Sequence, residues 1–169
     1  MKKIIVIVIS LILLTACTNG NSALNKLKED YPTVKKEVEK LPKDIQNELV
    51  VPKRLPFNVK NVSMDVQKNI GNDTINRTSI KYADGKGVIL EVTTYHQKNI
   101  KFSGEGQQLT TKLKDGTKVR IVKDEKESPK IIRWKKDGLY HEIMLVKLPD
   151  VEKNYTVTDL VKTANSMYE

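Results

Sequence analysis

The sequence predicts an α+β protein: a single antiparallel β-sheet meander of about six or seven strands, packed by short amino-terminal helices and a carboxy-terminal helix. Three observations carry this. Past Asn58 the apolar residues recur at every second position, the period of a strand with one buried face. Asp-Gly punctuates that stretch three times, at 84–85, 115–116 and 137–138, between β-branched runs. Such dipeptides favour tight hairpins because both turn positions want φ > 0. At either end of the strand-like text the period changes to that of a helix.

The chain opens differently. Met1-Lys2-Lys3 is a short positive segment, Ile4 to Leu14 is apolar apart from Ser10, and Thr15-Ala16 are small. This is the layout of a secretory signal, predicted for residues 1–16. The run is too short for a permanent membrane span, which needs about 20 apolar residues. The chain's one cysteine, Cys17, follows directly. Without a second cysteine the mature domain has no internal disulfide and depends on its core.

Residues 17–22 form a brief polar tether. Residues 23–56 are charged and interrupted by Pro32, Pro42, Pro52 and Pro56. Between the first two prolines Val34, Val38 and Leu41 are spaced for one helical face, with Thr33 placed to cap. Asp44 to Leu49 reads as a further turn or two, with Ile45 and Leu49 on one side. Pro52 and Pro56 then impose extended backbone on the approach to the sheet.

Residues 57–169 hold the sheet and its last helix, one domain together with 23–56. "NVSMDVQ" alternates Val62, Met64 and Val66, and "TSIKYAD", "GVILEVTTY", "TKVRIVKD", "KIIRW" and "LYHEIMLVK" supply further strands. Ile132 and Trp134 share a face that reads as core, with Ile131 and Arg133 on the other. "VILEV" and "IMLV" are apolar on both faces, which predicts partial cover of the second face by a partner, a ligand or the amino-terminal helix. At the end, Thr156 and Asp159 have the spacing of a capping box. Leu160, Ala164 and Met167 then fall on one face, with Val161 and Tyr168 beside them. So short a helix is not stable alone and must pack on the sheet.

The formal charge is +9; removing Lys2 and Lys3 with the signal leaves +7. Lysines are spread along the chain, and no arginine cluster interleaves with aromatics, so nucleic acid is not an expected partner. The balance draws an anchored domain toward anionic lipid or wall polymer.

No residue stands out for catalysis. His96 and His141 lie in strand-like text and read as surface or satisfied histidines, and no metal-ligand spacing is present. Asp124 and Glu125 belong to a charged turn. "SGEGQQ", with Gly104 and Gly106, lacks a phosphate-loop fingerprint, and no nucleophile elbow or Ser-x-x-Lys motif occurs; Ser128-Pro129 starts a strand. The expectation is no catalytic residue, no metal and no cofactor.

Leu14-Thr15-Ala16-Cys17 resembles the bacterial lipobox. The resemblance implies a thioether-linked diacylglycerol with palmitate-type chains on Cys17, cleavage before Cys17, and residence at the outer face of the cell membrane. One acyl chain anchors marginally and two anchor stably. Further along, "VPKRLPF", "IKYADGKGVILEVTTY", "GTKVRIVKD", "IIRWKKDGLYHEI" and "TVTDLVKTANSM" occur in that order. Together they resemble a domain of unknown function found in Gram-positive lipoproteins and in the outer halves of anti-sigma-type membrane proteins. The likeness covers about Val50 to Glu169, and its most specific parts are Leu55-Pro56, Trp134 with Gly138 and Tyr140, and the Thr156–Leu160 helix start. It is more distantly similar to lipoprotein-carrier folds. The expected function is a membrane-anchored, non-enzymatic binding or regulatory domain. Alternatives are a lipid-carrier or lipid-sensing module and a wall-associated enzyme or enzyme inhibitor. Beyond the membrane reached through Cys17, the expected partner is anionic lipid, wall polymer or a protein.

Overall fold

A computed structural model describes residues 22–100, 102, 109–124 and 129–169. Three short helices come first: α1 (Ser22–Asp30), α2 (Pro32–Glu39) and α3 (Lys43–Glu48). Seven strands follow: β1 (Asn61–Lys68), β2 (Ile75–Ala83), β3 (Val88–Tyr95), β4 (Thr110–Lys112), β5 (Lys118–Asp124), β6 (Lys130–Lys136) and β7 (Leu139–Lys147). Helix α4 (Val157–Asn165) closes the described chain. The fold is α+β with a seven-stranded antiparallel sheet flanked by helices from both ends.

The strand order is β1-β2-β3-β7-β6-β5-β4. The sheet is therefore two meanders, not one continuous run. After β3 the chain crosses to the far edge, and β4 to β7 return inward until β7 pairs with β3, Leu90 opposite Leu145 and Tyr95 opposite Tyr140.

Only one of the three Asp-Gly turns is the two-residue type with both φ positive. Asp137 (φ 51) and Gly138 (φ 84) join β6 to β7. At the other two, the aspartate carboxylate accepts from the backbone two residues on. Asp84 Oδ1 accepts from Lys86 N–H at 2.7 Å, and Asp115 Oδ1 from Thr117 N–H at 2.9 Å. These Asx turns lengthen the loops, closed by Asp84 N–H to the Val88 carbonyl at 3.1 Å and Leu113 N–H to the Thr117 carbonyl at 2.9 Å.

One face of the sheet holds the core. Leu90, Val119, Ile132 and Ile143 are fully buried there, with Trp134 at 1% exposure. Val34 and Val38 of α2 and Leu160 and Ala164 of α4 pack onto the same cluster. α2 lies over β1 and α4 over β6 and β7. The sheet's own side chains and the helices fill this face.

The helix starts differ in how well the sequence announced them. Thr156 accepts from Asp159 N–H and Asp159 accepts from Thr156 N–H at 2.9 Å, the reciprocal capping box. Thr33 is not a cap. Helix α2 begins at Pro32 with Tyr31 before it and no side-chain bond; proline's fixed φ and missing N–H suit that first position. α1 was not foreseen as a helix, although Leu24 and Leu27 are its buried pair.

The proline-rich stretch is tied to the far end of the chain. Ser166 Oγ accepts the Arg54 N–H at 3.1 Å and donates to the Thr163 carbonyl at 2.7 Å. Arg54 and Lys114 both pair with the Glu169 carboxylate.

Candidate functional site

The residues of the lipobox resemblance, Leu14, Thr15, Ala16 and Cys17, lie outside the described residues, as do Gly104, Gly106, Glu125 and Ser128. Ser22, five positions after Cys17, opens α1. No helix among the described residues is long and apolar enough to cross a membrane.

The described helices all pack on the core face, so of the covers that "VILEV" and "IMLV" predict, a partner, a ligand or the amino-terminal helix, the helix is not the one. What projects there follows from strand alternation. Ile89 and Val146 stand opposite each other on β3 and β7, 45% and 37% exposed. Met144 and Ile131 continue the apolar patch across β7 and β6.

Toward the other end the same face carries aromatics and charge. Phe102, from the β3–β4 connection, sits edge-on to Tyr95 at 5.3 Å and to Tyr140 at 5.2 Å between ring centroids. The Arg133 guanidinium lies 3.5 Å from the centre of the Phe102 ring. It also donates from Nε to Glu142 Oε2 at 2.9 Å and from Nη2 to the same oxygen. A cation over an aromatic face contributes about 0.5–2 kcal/mol, more as water is excluded. Burial, reinforced by the Glu142 carboxylate, pushes the Tyr95 hydroxyl above its ordinary value.

Positive charge concentrates on the β4–β6 half of this face. Lys112 stands opposite Lys118, and Arg120 opposite Arg133. Lys135 projects beside them, its ammonium 5.2 Å from the Tyr140 ring centre. Against these five cations, β7 contributes Glu142. The arrangement is a basic, partly aromatic surface on neighbouring strands.

A different set of polar groups is buried on the core face. Thr78, Thr94 and His141 form one row across β2, β3 and β7, and Trp134 of β6 extends it. Thr94 Oγ1 is 3.3 Å from His141 Nδ1, and Trp134 stacks on His141 with ring centroids 5.6 Å apart. The Trp134 indole N–H donates to Tyr168 Oη at 3.0 Å. Burial above all, with repulsion from His96 and Lys136, lowers the His141 pKa from 6.5 to about 4. His141 is a satisfied, neutral core histidine.

His96, just past β3, has Glu48 Oε2 2.6 Å from Nδ1 and Thr78 Oγ1 3.0 Å from Nε2. Hydroxyl, imidazole and carboxylate in that order have the connectivity of a nucleophilic triad. Thr78, however, is 2% exposed and lies mid-strand between its partners Val66 and Thr94. The group serves as a clasp that fastens α3 to the end of the sheet. Among the described residues no three His, Cys, Asp or Glu side chains gather as a metal site. Asp124 pairs with Lys130 at 3.0 Å.

No protein-family model, curated protein or solved structure matches this chain. The functional reading therefore rests on its own residues.

Sequence reasoning passed over the Arg133–Glu142–Phe102 group. Its register was available: a two-residue turn at 137–138 sets Arg133 against Glu142 and Trp134 against His141. Phe102, inside a polar connection, carried no periodic signal.

Proposed function

We propose that this protein is a lipoprotein held at the outer face of the cell membrane through Cys17. It works there as a non-enzymatic binding domain. The face of the sheet that no described helix covers is its recognition surface, and an anionic wall polymer is its partner.

The observation that carries this is the composition of that face. Lys112, Lys118 and Lys135 share it with the Tyr95–Phe102–Tyr140 ring cluster, beside Arg120 and the Glu142-paired Arg133. Phosphate or carboxylate groups of a polymer are drawn by the cations, and its sugar faces rest on the rings. Charge of one sign on a surface raises the local concentration of the opposite sign and makes association salt-dependent.

The test is co-sedimentation of the full chain carrying Cys17→Ser with purified wall sacculi. Binding is expected to fall with rising salt and to be lost in Lys118→Glu/Lys135→Glu, while Lys162→Glu on α4 binds as before. It should also fall when polymer phosphates are stripped from the sacculi. Equal binding by all three proteins would overturn the proposal.

A further inference from the structure

Antiparallel pairing sets residues of neighbouring strands in rows across the sheet, and one row on the face that no described helix covers carries charge of a single sign. Lys112 stands opposite Lys118, Lys135 opposite Tyr140, Tyr140 opposite Tyr95, and Tyr95 opposite Arg77. Lys118 precedes Val119 and Lys135 follows its partner Trp134, so the register sets these two lysines opposite each other as well. All four cations are exposed. The next row inward differs: it runs from Arg133 through Glu142, Thr93 and Ser79 to Asp65.

Like charges directly opposite in a sheet repel, whereas opposite charges there stabilise it. Elsewhere on this face the rule is kept, with Lys81 paired to Asp65 and Arg133 to Glu142. Lys112, Lys118 and Lys135 break it. They occupy three neighbouring strands with no acid between them, and among the described residues none of the three has an ion-pair partner. The free fold carries a repulsion there that a bound polyanion removes.

Spacing narrows the polyanion. Neighbouring strands lie about 4.8 Å apart, so the row from β4 to β2 is about 24 Å long. Meeting adjacent cations takes a chain with a charge in every short repeat. A polyol phosphate has about six backbone bonds per charge, about 7 Å when extended. Lysine ammoniums on flexible stems splay to that spacing. A glycan acidic only on alternate sugars spaces its charges more widely. Past the lysines, the Tyr140 and Tyr95 rings face the polyol carbons, and Arg77 meets a further phosphate.

We propose that the anionic wall polymer of the preceding reading, on which this inference rests, is a polyol-phosphate chain lying across the strands from Lys112 to Arg77, with about four phosphates on the row.

The experiment is calorimetric titration of the full chain carrying Cys17→Ser with poly(glycerol phosphate) fragments of graded length, alongside polygalacturonate fragments of matched charge. Affinity is expected to rise with length up to about four phosphates and then level off, and polygalacturonate to bind more weakly. Arg77→Gln should weaken the longer fragments roughly tenfold and leave the shortest, held by the lysines, as before. Lys118→Gln should weaken fragments of every length, yet melt no lower than the parent, since it relieves repulsion from Lys112 and Lys135. Long fragments bound by Arg77→Gln at the parent affinity would overturn the path across the strands. Lys118→Gln melting lower with binding unchanged would overturn it too, and a preference for polygalacturonate would overturn the phosphate class. These results leave the wall-polymer reading, tested on sacculi, standing; sacculi that fail to bind the parent would remove both.

Discussion

Trp134 of β6 and Tyr168, beyond the end of α4, are joined by an indole N–H to phenol hydrogen bond of 3.0 Å. The bond sits where the last helix meets the sheet, with the Lys136 ammonium 4.0 Å from the centre of the Tyr168 ring. Lys136 in turn pairs with Asp115 and, with the Thr117 N–H, holds that carboxyl well below the usual carboxylate range. The carboxy-terminal helix is thus fixed by burial and by a directed polar contact together.

Leu160→Ala tests the burial. Leu160 is fully buried in the shared core, whereas Lys162 is exposed on the same helix. Truncating a buried leucine typically costs about 2–5 kcal/mol. Denaturant melts should show a loss in that range for Leu160→Ala and almost none for Lys162→Ala. Equal losses would contradict the helix-on-sheet packing.

Gly138→Val tests the β6–β7 turn. Gly138 has φ 84 and its neighbour Asp137 φ 51, a pair of values that β-branched side chains resist. The space around Gly138 is open, so the loss of about 1 kcal/mol or more comes from the backbone alone. Gly138→Ala should cost less than Gly138→Val. An unchanged denaturation midpoint for both would rule out the positive-φ turn.

The buried imidazole predicts a pH dependence. His141 in the folded protein takes up a proton only near pH 4, against 6.5 for the ordinary side chain. Between those values the unfolded chain binds the proton and the folded chain does not. Stability is therefore intact above about pH 6.5 and declines as pH falls toward 4. At about 1.4 kcal/mol per pH unit the full decline is about 3 kcal/mol. Urea melts at pH 7.5 and pH 4.5 should register it, and His141→Gln should flatten the slope in that window. An equal slope in the variant would mean other groups carry the acid sensitivity.

Local signals carried much of this architecture, and long-range pairing did not. Alternation placed Val62, Met64, Ile132 and Trp134 on the core side, and the spacing of Thr156 and Asp159 announced α4. Alternation assigns faces within a strand, however, and says nothing about which strand lies alongside. The β3–β7 pairing, Leu90 with Leu145, joins segments about fifty residues apart, so the crossover to β4 was not legible. Glu48 and His96 meet at 2.6 Å for the same reason unseen: one ends a short helix, the other follows a strand. The doubly apolar runs predict a partly covered second face, and there Ile89 and Val146 remain exposed with no described helix over them. Tyr82, whose buried hydroxyl has no hydrogen-bond partner among the described residues, gave no sequence signal, because only the folded surroundings set that.

The clasp between Glu48 and His96 predicts a local effect. Glu48→Ala should loosen α3 while leaving the sheet intact, so amide exchange should rise across 43–49 and stay unchanged across β3 and β7. Uniform loss of protection would show that the contact supports the whole fold.

The central claim is that Cys17 carries the protein to the membrane, and mass spectrometry of the mature amino-terminal peptide tests it most directly. The account predicts a peptide that begins at Cys17 and bears a thioether-linked diacylglycerol, with Cys17→Ser shifting the protein out of the membrane fraction. A mature peptide with an unmodified Cys17, or one that begins elsewhere while the protein still sediments with membranes, would contradict it.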